Sequence, residues 1–247
     1  MIYFLCAAAA TAGFFDAIAG GGGLIQLPSL LLGLNDKPEV SVLGTNKFAA
    51  IFGTANAANR YRKKINIDKK MLAYMAIPAF FGSMGGAQLA SRVPTDNLRV
   101  GVFIALVIIF IYSLLNPKLG HEESVKLNYK VAALSGLSIG FYDGIFGPGT
   151  GSFIALILVA VIGFAFLEAT AMTKIVNWGT NLAAIITFQL TGHIIWAIGL
   201  ALGAANLTGA LLGVRVAVKG GSALIRKAFI AVVFLLILRL GYDIVKS

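Results

Sequence analysis

The sequence predicts an all-α integral membrane protein built as two inverted repeats of about five segments each, with helices broken or re-entrant at glycine-rich motifs. Three observations carry that expectation. Of 247 residues, 58% are hydrophobic and only 12% charged, with a mean hydropathy of +0.88, which leaves too little polar surface to cover a water-soluble globule of this length. Apolar blocks of span length recur through the whole chain, and the longest polar interruption runs only from Asn116 to Asn128, so residues 1–247 read as a single membrane domain. An acid followed by a glycine-rich turn, GFFDAIAGGGGLIQLP at Gly13 to Pro28, recurs as GFYDGIFGPGTG at Gly140 to Gly151.

Taken in order, Ile2 to Leu34 is apolar throughout, yet as one helix it would run roughly 50 Å against a hydrocarbon core of about 30 Å. It must break, and Gly20 to Gly23 is where. Leu24 to Leu34 is too short to cross alone and reads as a half-helix or re-entrant arm, ended by Asn35 to Glu39 with Pro38. The beginning, MIYFLCAAAATAG, lacks a basic leader region and is expected to be a retained helix rather than a cleaved signal. Val40 to Asn59 follows with Lys47 inside it, then the basic loop RYRKKINIDKK, then Met71 to Ala90 with the small-residue face Gly82, Gly85 and Gly86, which lets helix backbones approach closely. Val100 to Leu115 is a plain span.

The second half repeats this order. GFFDAIAG matches GFYDGIFG at five of eight positions, Asp16 precedes Lys47 by 31 residues as Asp143 precedes Lys174, and GAQLASRV (Gly86 to Val93) echoes GALLGVRV (Gly209 to Val216). The chain therefore divides into a first repeat over 1–117, a linker over 118–128 and a second repeat over 129–247. Five segments is an odd number, so the halves are inverted if each arm pair makes no net change of side. Loop charge supports this. Inversion puts thirteen Lys and Arg residues on one side and four on the other, whereas parallel halves would divide them ten to seven. The positive-inside rule then makes the rich side cytoplasmic and both termini external.

The net charge of +10 is better explained by the same topology, because nearly all basic residues lie in short loops between apolar blocks; nucleic-acid binding is not expected. Cys6 is the sole cysteine, which leaves no disulfide framework or thiolate metal cluster within one chain. His121 in the linker and His193 in a short connection have no partners at metal-ligand spacing, so neither metal nor cofactor is expected.

Lys47 and Lys174 lie inside apolar helices, where a lysine costs at least ~2.5 kcal/mol even on insertion scales and should face protein or water. The plain alternative is snorkelling of the head to a nearby interface. Two lysines at equivalent repeat positions favour a function, and paired cationic clamps on a passing anion fit it. Asp16 and Asp143 have two competing roles: each neutralises the lysine of its own repeat as a structural ion pair, or each takes a proton during transport.

The glycine run fails as a nucleotide loop, having no Walker lysine and no preceding soluble strand. As a transport break it fits better than as a packing device, since glycine permits positive φ and close ligand approach. Gly21, Gly22 and Gly23 in the first copy and Gly149 in the second would open half-helices, begun by Leu24 and Ser152, whose free N–H groups and positive dipole ends favour anions. Thr150 and Ser152 add hydroxyl donors. Polar side chains on the lysine helices complete the set: Thr45, Asn46 and Asn56, then Thr173, Asn177, Thr180, Asn181 and Gln189. Interhelical hydrogen bonding, worth about 0.6 kcal/mol per contact, is their default role. Asn46 and Thr173, beside the lysines, are the site candidates, while Asn56 and Gln189 are expected to be structural. Trp178, Trp196, Tyr61 and Tyr112 fit interface anchoring or packing.

GFFDAIAGGGGLIQLP, the TNK of Thr45 to Lys47, GFYDGIFGPGTGSF and ATAMTKIVNWGTNLAA (Ala169 to Ala184) together resemble the TauE/SafE sulfite exporter family, also called TSUP, over essentially the full chain. The GxxGP of the second motif is similar to its probable-transporter subgroup rather than to the named exporters. The resemblance implies a bacterial inner-membrane protein of two repeats that moves small anions, with sulfite and organosulfonates among the substrates of relatives. The expected function is a secondary transporter, an exporter, of sulfite, an organosulfonate or a related small carboxylate, with proton coupling through Asp16 and Asp143. A passive anion channel and a structural subunit of a membrane complex are the alternatives; an enzyme is not expected, since no nucleophile and base or metal set is present. The expected partners are the small anion and membrane lipid, with a homo-oligomer open.

Overall fold

The computed structural model describes residues 1–90, 92, 95–116, 120 and 125–246. The described residues form helices and connections, with no β-strand among them. Six lie in the first half and its junction: α1 Ile2–Ala19, α2 Gly23–Gly33, α3 Glu39–Arg62, α4 Lys69–Leu89, α5 Thr95–Leu115 and, opening the second half, α6 Tyr129–Ile145. Then come α7 Thr150–Leu156, which widens into a π-helix over Ile157–Ile162, α8 Phe166–Leu190 and α9 Trp196–Lys246. Of the linker, Lys118, His121 and residues 119 and 122–124 lie outside the described residues, as do Ser91 and Val93 of the GAQLASRV echo.

Local chemistry accounts for the boundaries. α1 stops because Gly20 adopts φ 82°, which only glycine takes readily, with its N–H bonded back to the Asp16 carbonyl. Gly149 at φ 85° does the same work before α7. The Asp68 and Asn128 side chains cap α4 and α6 by accepting the N–H groups of Met71 and Val131. α2 begins at Gly23 and α7 at Thr150, one and two residues ahead of the expected Leu24 and Ser152. At 11 residues α2 reaches about 16 Å, half a bilayer core. The last two segments of the second half are continuous, α9 being divided only at Gly221 (φ 62°, ψ −167°). Counting α9 as two, the described residues form ten helical segments.

Among the helix pairs, α4 with α6 and α1 with α9 make the most extensive contacts, and both join one half to the other. Small residues allow this. A Cβ on Gly82 or Gly86 of α4 would lie 2.3 or 2.0 Å from the Leu137 or Phe141 carbonyl oxygen of α6, and a Cβ on Gly209 of α9 would lie 1.8 Å from the Ala10 carbonyl of α1. Gly85 instead faces the Phe141 ring.

The distribution of polarity is inside out for water. Ile77, Phe81, Ile108, Leu134, Leu200, Leu212 and Leu235 are exposed, while Thr45, Lys47, Thr54, Asp143, Thr173, Lys174, Thr180 and Asn181 are buried. Along α8 the polar run Asn177 to Asn181 separates two buried apolar clusters, one with Phe166, Met172 and Val176 and the other with Ala184 and Phe188. By length and hydropathy, two helical stretches among the described residues suffice to cross a membrane on their own, Ile2–Ala19 and Trp196–Arg239. The lysine helices α3 and α8 fall short because their inner faces carry the buried lysines and amides.

Candidate functional site

The two glycine breaks meet. A Cβ on Gly20 would stand 2.8 Å from the Gly151 Cα, and one on Gly23 would stand 3.5 Å from the Pro148 Cα. Around this junction lies a small cavity of about 40 Å³, lined from the first half by Asp16, Gly20, Gly22, Gly23, Gln26, Asn46, Lys47, Ala50 and Thr54. The second half contributes Asp143, Gly147, Gly149, Thr150, Gly151, Asn177, Asn181 and Asn206. A single water needs ~10–15 Å³ by this measure, so there is room for about three water-sized groups.

Two ion pairs bracket the cavity, and both cross the halves. Lys47 Nζ of α3 sits 2.6 Å from Asp143 Oδ1 of α6, with side-chain exposures of 4% and 2%. Lys174 Nζ of α8 sits 3.0 Å from Asp16 Oδ2 of α1 and also donates to the Asp16 main-chain carbonyl. Pairing of each aspartate with the lysine of its own repeat is therefore not what forms. With the breaks touching at Gly20 and Gly151, the end of each aspartate helix is carried to the lysine of the opposite half.

The pairs differ in surroundings. Lys174 is fully buried, does not line the cavity, and faces an Asp16 whose other oxygen accepts the Gly22 N–H at 3.4 Å, at the start of α2. Lys47 and Asp143 both line the cavity, and Asp143 Oδ2 has no hydrogen-bond partner. Gly147, at φ 93°, keeps room for the ammonium, since a Cβ there would lie 2.7 Å from Lys47 Nζ.

The remaining sequence candidates divide as follows. Asn46 lines the cavity with its Oδ1 unpartnered, while the Thr173 hydroxyl is buried and unpartnered but away from the cavity. Thr150 lines it with its hydroxyl donating to the Gly147 carbonyl at 2.7 Å, and the Ser152 hydroxyl donates to the Ala19 carbonyl at 3.4 Å, so both hydroxyl protons are engaged by main chain. Gly21 faces away, into a separate crevice with Phe15, Leu24, Val232 and Arg239. Asn56 accepts from Arg60 Nε at 3.1 Å and Gln189 is exposed, both apart from the cavity. Tyr61 is buried and its hydroxyl donates to the Ala17 carbonyl, a packing role rather than interface anchoring.

Three polar lining residues were not singled out from sequence: Gln26, Thr54 and Asn206. Asn206 Nδ2 donates to Gln26 Oε1 at 2.8 Å, linking α9 to α2. The isolated amide in each apolar run, LIQLP and GAANLTG, could have flagged Gln26 and Asn206. No group of three or more metal-ligating side chains occurs among the described residues.

An outward apolar surface, an inward polar centre and helix breaks meeting at a charged cavity define a helical membrane protein of the transporter class. The sulfite exporter TauE/SafE family matches residues 5–240, and the chain belongs to that family. It is 38% identical over 245 residues to a probable membrane transporter protein of Sinorhizobium, covering 98% of this chain and 93% of the relative. It is similar to a probable membrane transporter protein of Haemophilus influenzae, 36% identical with 94% and 91% covered, and to YfcA of Escherichia coli, 38% identical with 94% and 86% covered. No solved structure matches the chain.

Proposed function

We propose that the chain is a secondary transporter that exports a small anion, sulfite or a related organosulfonate or carboxylate, with its movement coupled to a proton. The Lys47 and Asp143 pair carries this reading: a cation inside the membrane, on the wall of a small cavity, whose counter-charge still has a free oxygen. The four ionised groups at the centre sum to zero. An added anion would leave an uncompensated negative charge in a low-dielectric site, at a cost of several kcal/mol. Protonation of Asp143 removes that cost, because the incoming anion then replaces it as the partner of Lys47. One proton and one negative charge enter together.

The size of the cavity favours the smallest anions of the class, and the family's description as sulfite exporters supports both substrate and direction. Gly23 and Gly149 offer main-chain N–H groups at the break, where Gly22 gives its own to Asp16, and Asn46 offers a carboxamide. We assign Lys174 and Asp16 the equivalent part in the opposite conformation, with alternating access by movement of one inverted repeat against the other. Location in the bacterial inner membrane with both termini periplasmic is supported by the loop-charge bias.

The test is sulfite flux in proteoliposomes under an imposed pH gradient. Wild type should respond to the gradient, Lys47→Met should lose flux, and Asp143→Asn should lose the response to pH. Flux independent of the gradient in wild type would favour a passive anion channel, and normal flux in Lys47→Met would remove the lysine from the mechanism.

A further inference from the structure

A second cavity, of about 590 Å³, lies apart from the central one and shares no residue with it. It is formed where the end of α3, the following turn and the start of α4 meet the middle of α8. Its inner wall is apolar, made by Ala55, Ala58, Ile65, Ile67, Leu72 and Ile175 beside the exposed indole of Trp178. Its mouth is basic and amide-rich, with Arg62, Lys69, Asn59 and Asn66. From Ala55 to Arg62 it follows about 10 Å of helix, so it reaches from a polar rim well into an apolar slot.

The chemistry of this cavity is that of an amphiphile with a negative head. Water alone is a poor occupant of an apolar slot of this size, and the volume falls within the ~300–1,000 Å³ typical of small-molecule sites. The Arg62 and Lys69 heads pair with no described acid; Arg62 Nε donates only to Asn59 Oδ1, at 3.1 Å. Asp68, the nearest acid in sequence, has one oxygen engaged in capping the Met71 N–H. Arg60, Lys63, Lys64 and Lys70 add to the positive field at this end.

We propose that this cavity holds an anionic phospholipid of the surrounding membrane, one acyl chain along Ala58, Ile67, Leu72 and Trp178 and the phosphate against Arg62 and Lys69. The site depends on the protein lying in a membrane and is independent of whether it transports an anion. The bound lipid would fasten the α3 to α4 turn to the flank of α8, the helix that carries Lys174.

The experiment uses full-length protein exchanged into equal mixtures of phosphatidylglycerol and phosphatidylcholine, with retained lipid counted by native mass spectrometry. Wild type should keep phosphatidylglycerol in preference to phosphatidylcholine. Arg62→Gln with Lys69→Gln, both on exposed side chains and so without risk to folding, should lower that preference by about five-fold per cation removed. Ala58→Trp, which fills the slot and keeps the charges, should lower retention of both lipids. Equal retention of the two lipids by wild type, or an unchanged preference in the double variant, would overturn the proposal. So would displacement of the lipid by inorganic phosphate at millimolar concentration, which would mark the site as one for a soluble anion.

Discussion

Removing Lys47 alone should destabilise the protein, and removing Asp143 with it should largely restore stability. The two side chains are 4% and 2% exposed and 2.6 Å apart. In Lys47→Met the Asp143 carboxylate, 2% exposed, loses its counter-charge, and breaking one side of a buried pair costs roughly 3–5 kcal/mol. In Lys47→Met with Asp143→Asn there is no charge to orphan, and neutral replacements of buried pairs cost little. Lys174→Met supplies the internal control. Asp16 is 16% exposed and accepts the Gly22 N–H, so its carboxylate keeps a hydrogen bond and some solvent when Lys174 is lost. The expected order of stability is wild type, then the Lys47/Asp143 double variant, then Lys174→Met, then Lys47→Met. Thermal unfolding of purified protein in one detergent, read by intrinsic fluorescence, measures it. A Lys47→Met midpoint equal to that of wild type, or a double variant no better than Lys47→Met, would refute the coupling of these two residues.

Other substitutions follow from the same geometry. Gly20→Ala forces a left-handed φ on alanine and drives a Cβ to 2.8 Å from Gly151, so the yield of monodisperse protein on size exclusion should fall sharply. Gly86→Val should do the same by separating α4 from α6, whereas Gly179→Ala, which meets open space on α8, should be neutral or mildly stabilising in the thermal assay. Asn206→Leu leaves the Gln26 amide oxygen without its donor and should cost about 1–3 kcal/mol, with recovery when Gln26→Leu is added. The Asn206 and Gln26 variants are checked by the midpoint of thermal unfolding.

Much of this arrangement was legible in the residues because membranes make polar groups conspicuous. Asp16, Lys47, Asp143 and Lys174 stand out against apolar runs, and their common 31-residue spacing points to a repeat without any structure. Gly20 and Gly149 stand out in the same way, and both take the positive φ that ends or opens a helix. What the sequence did not carry was partnership. Two aspartates and two lysines allow pairing within or between halves, and only the meeting of Gly20 with Gly151 decides for the second. Gln26 and Asn206 were missed because each is a lone amide with no counterpart in the other repeat, and they become meaningful only when α9 is brought against α2. Thr150 and Ser152 illustrate the reverse: their hydroxyls are suited to an anion by type, yet nearby carbonyls of Gly147 and Ala19 take up their protons.

The inequality of the two ion pairs is the feature that bears most directly on how such a centre would work. Sequence makes the pairs equivalent, but only Asp16 of one pair reaches the cavity, whereas both members of the other line it. Lys174 has the Asp16 carboxylate and the Asp16 carbonyl, with Asp16 tied in turn to the start of α2. Lys47 has one carboxylate oxygen at 2.6 Å, and the second oxygen of that group is unsatisfied. An unsatisfied buried carboxylate oxygen raises the energy of the Lys47 pair relative to its counterpart, because a charged acceptor in low dielectric gains most from each hydrogen bond. That pair is therefore the easier one to open, by a proton on Asp143 or by a donor brought with a ligand. In the alternating access proposed above, the opposite conformation would give Lys174 and Asp16 the part that Lys47 and Asp143 hold here. Alternating access on that proposal would need two conformations of similar energy, each with one counter-ion that a substrate anion can replace, and the unequal pairs supply such a counter-ion in the conformation described.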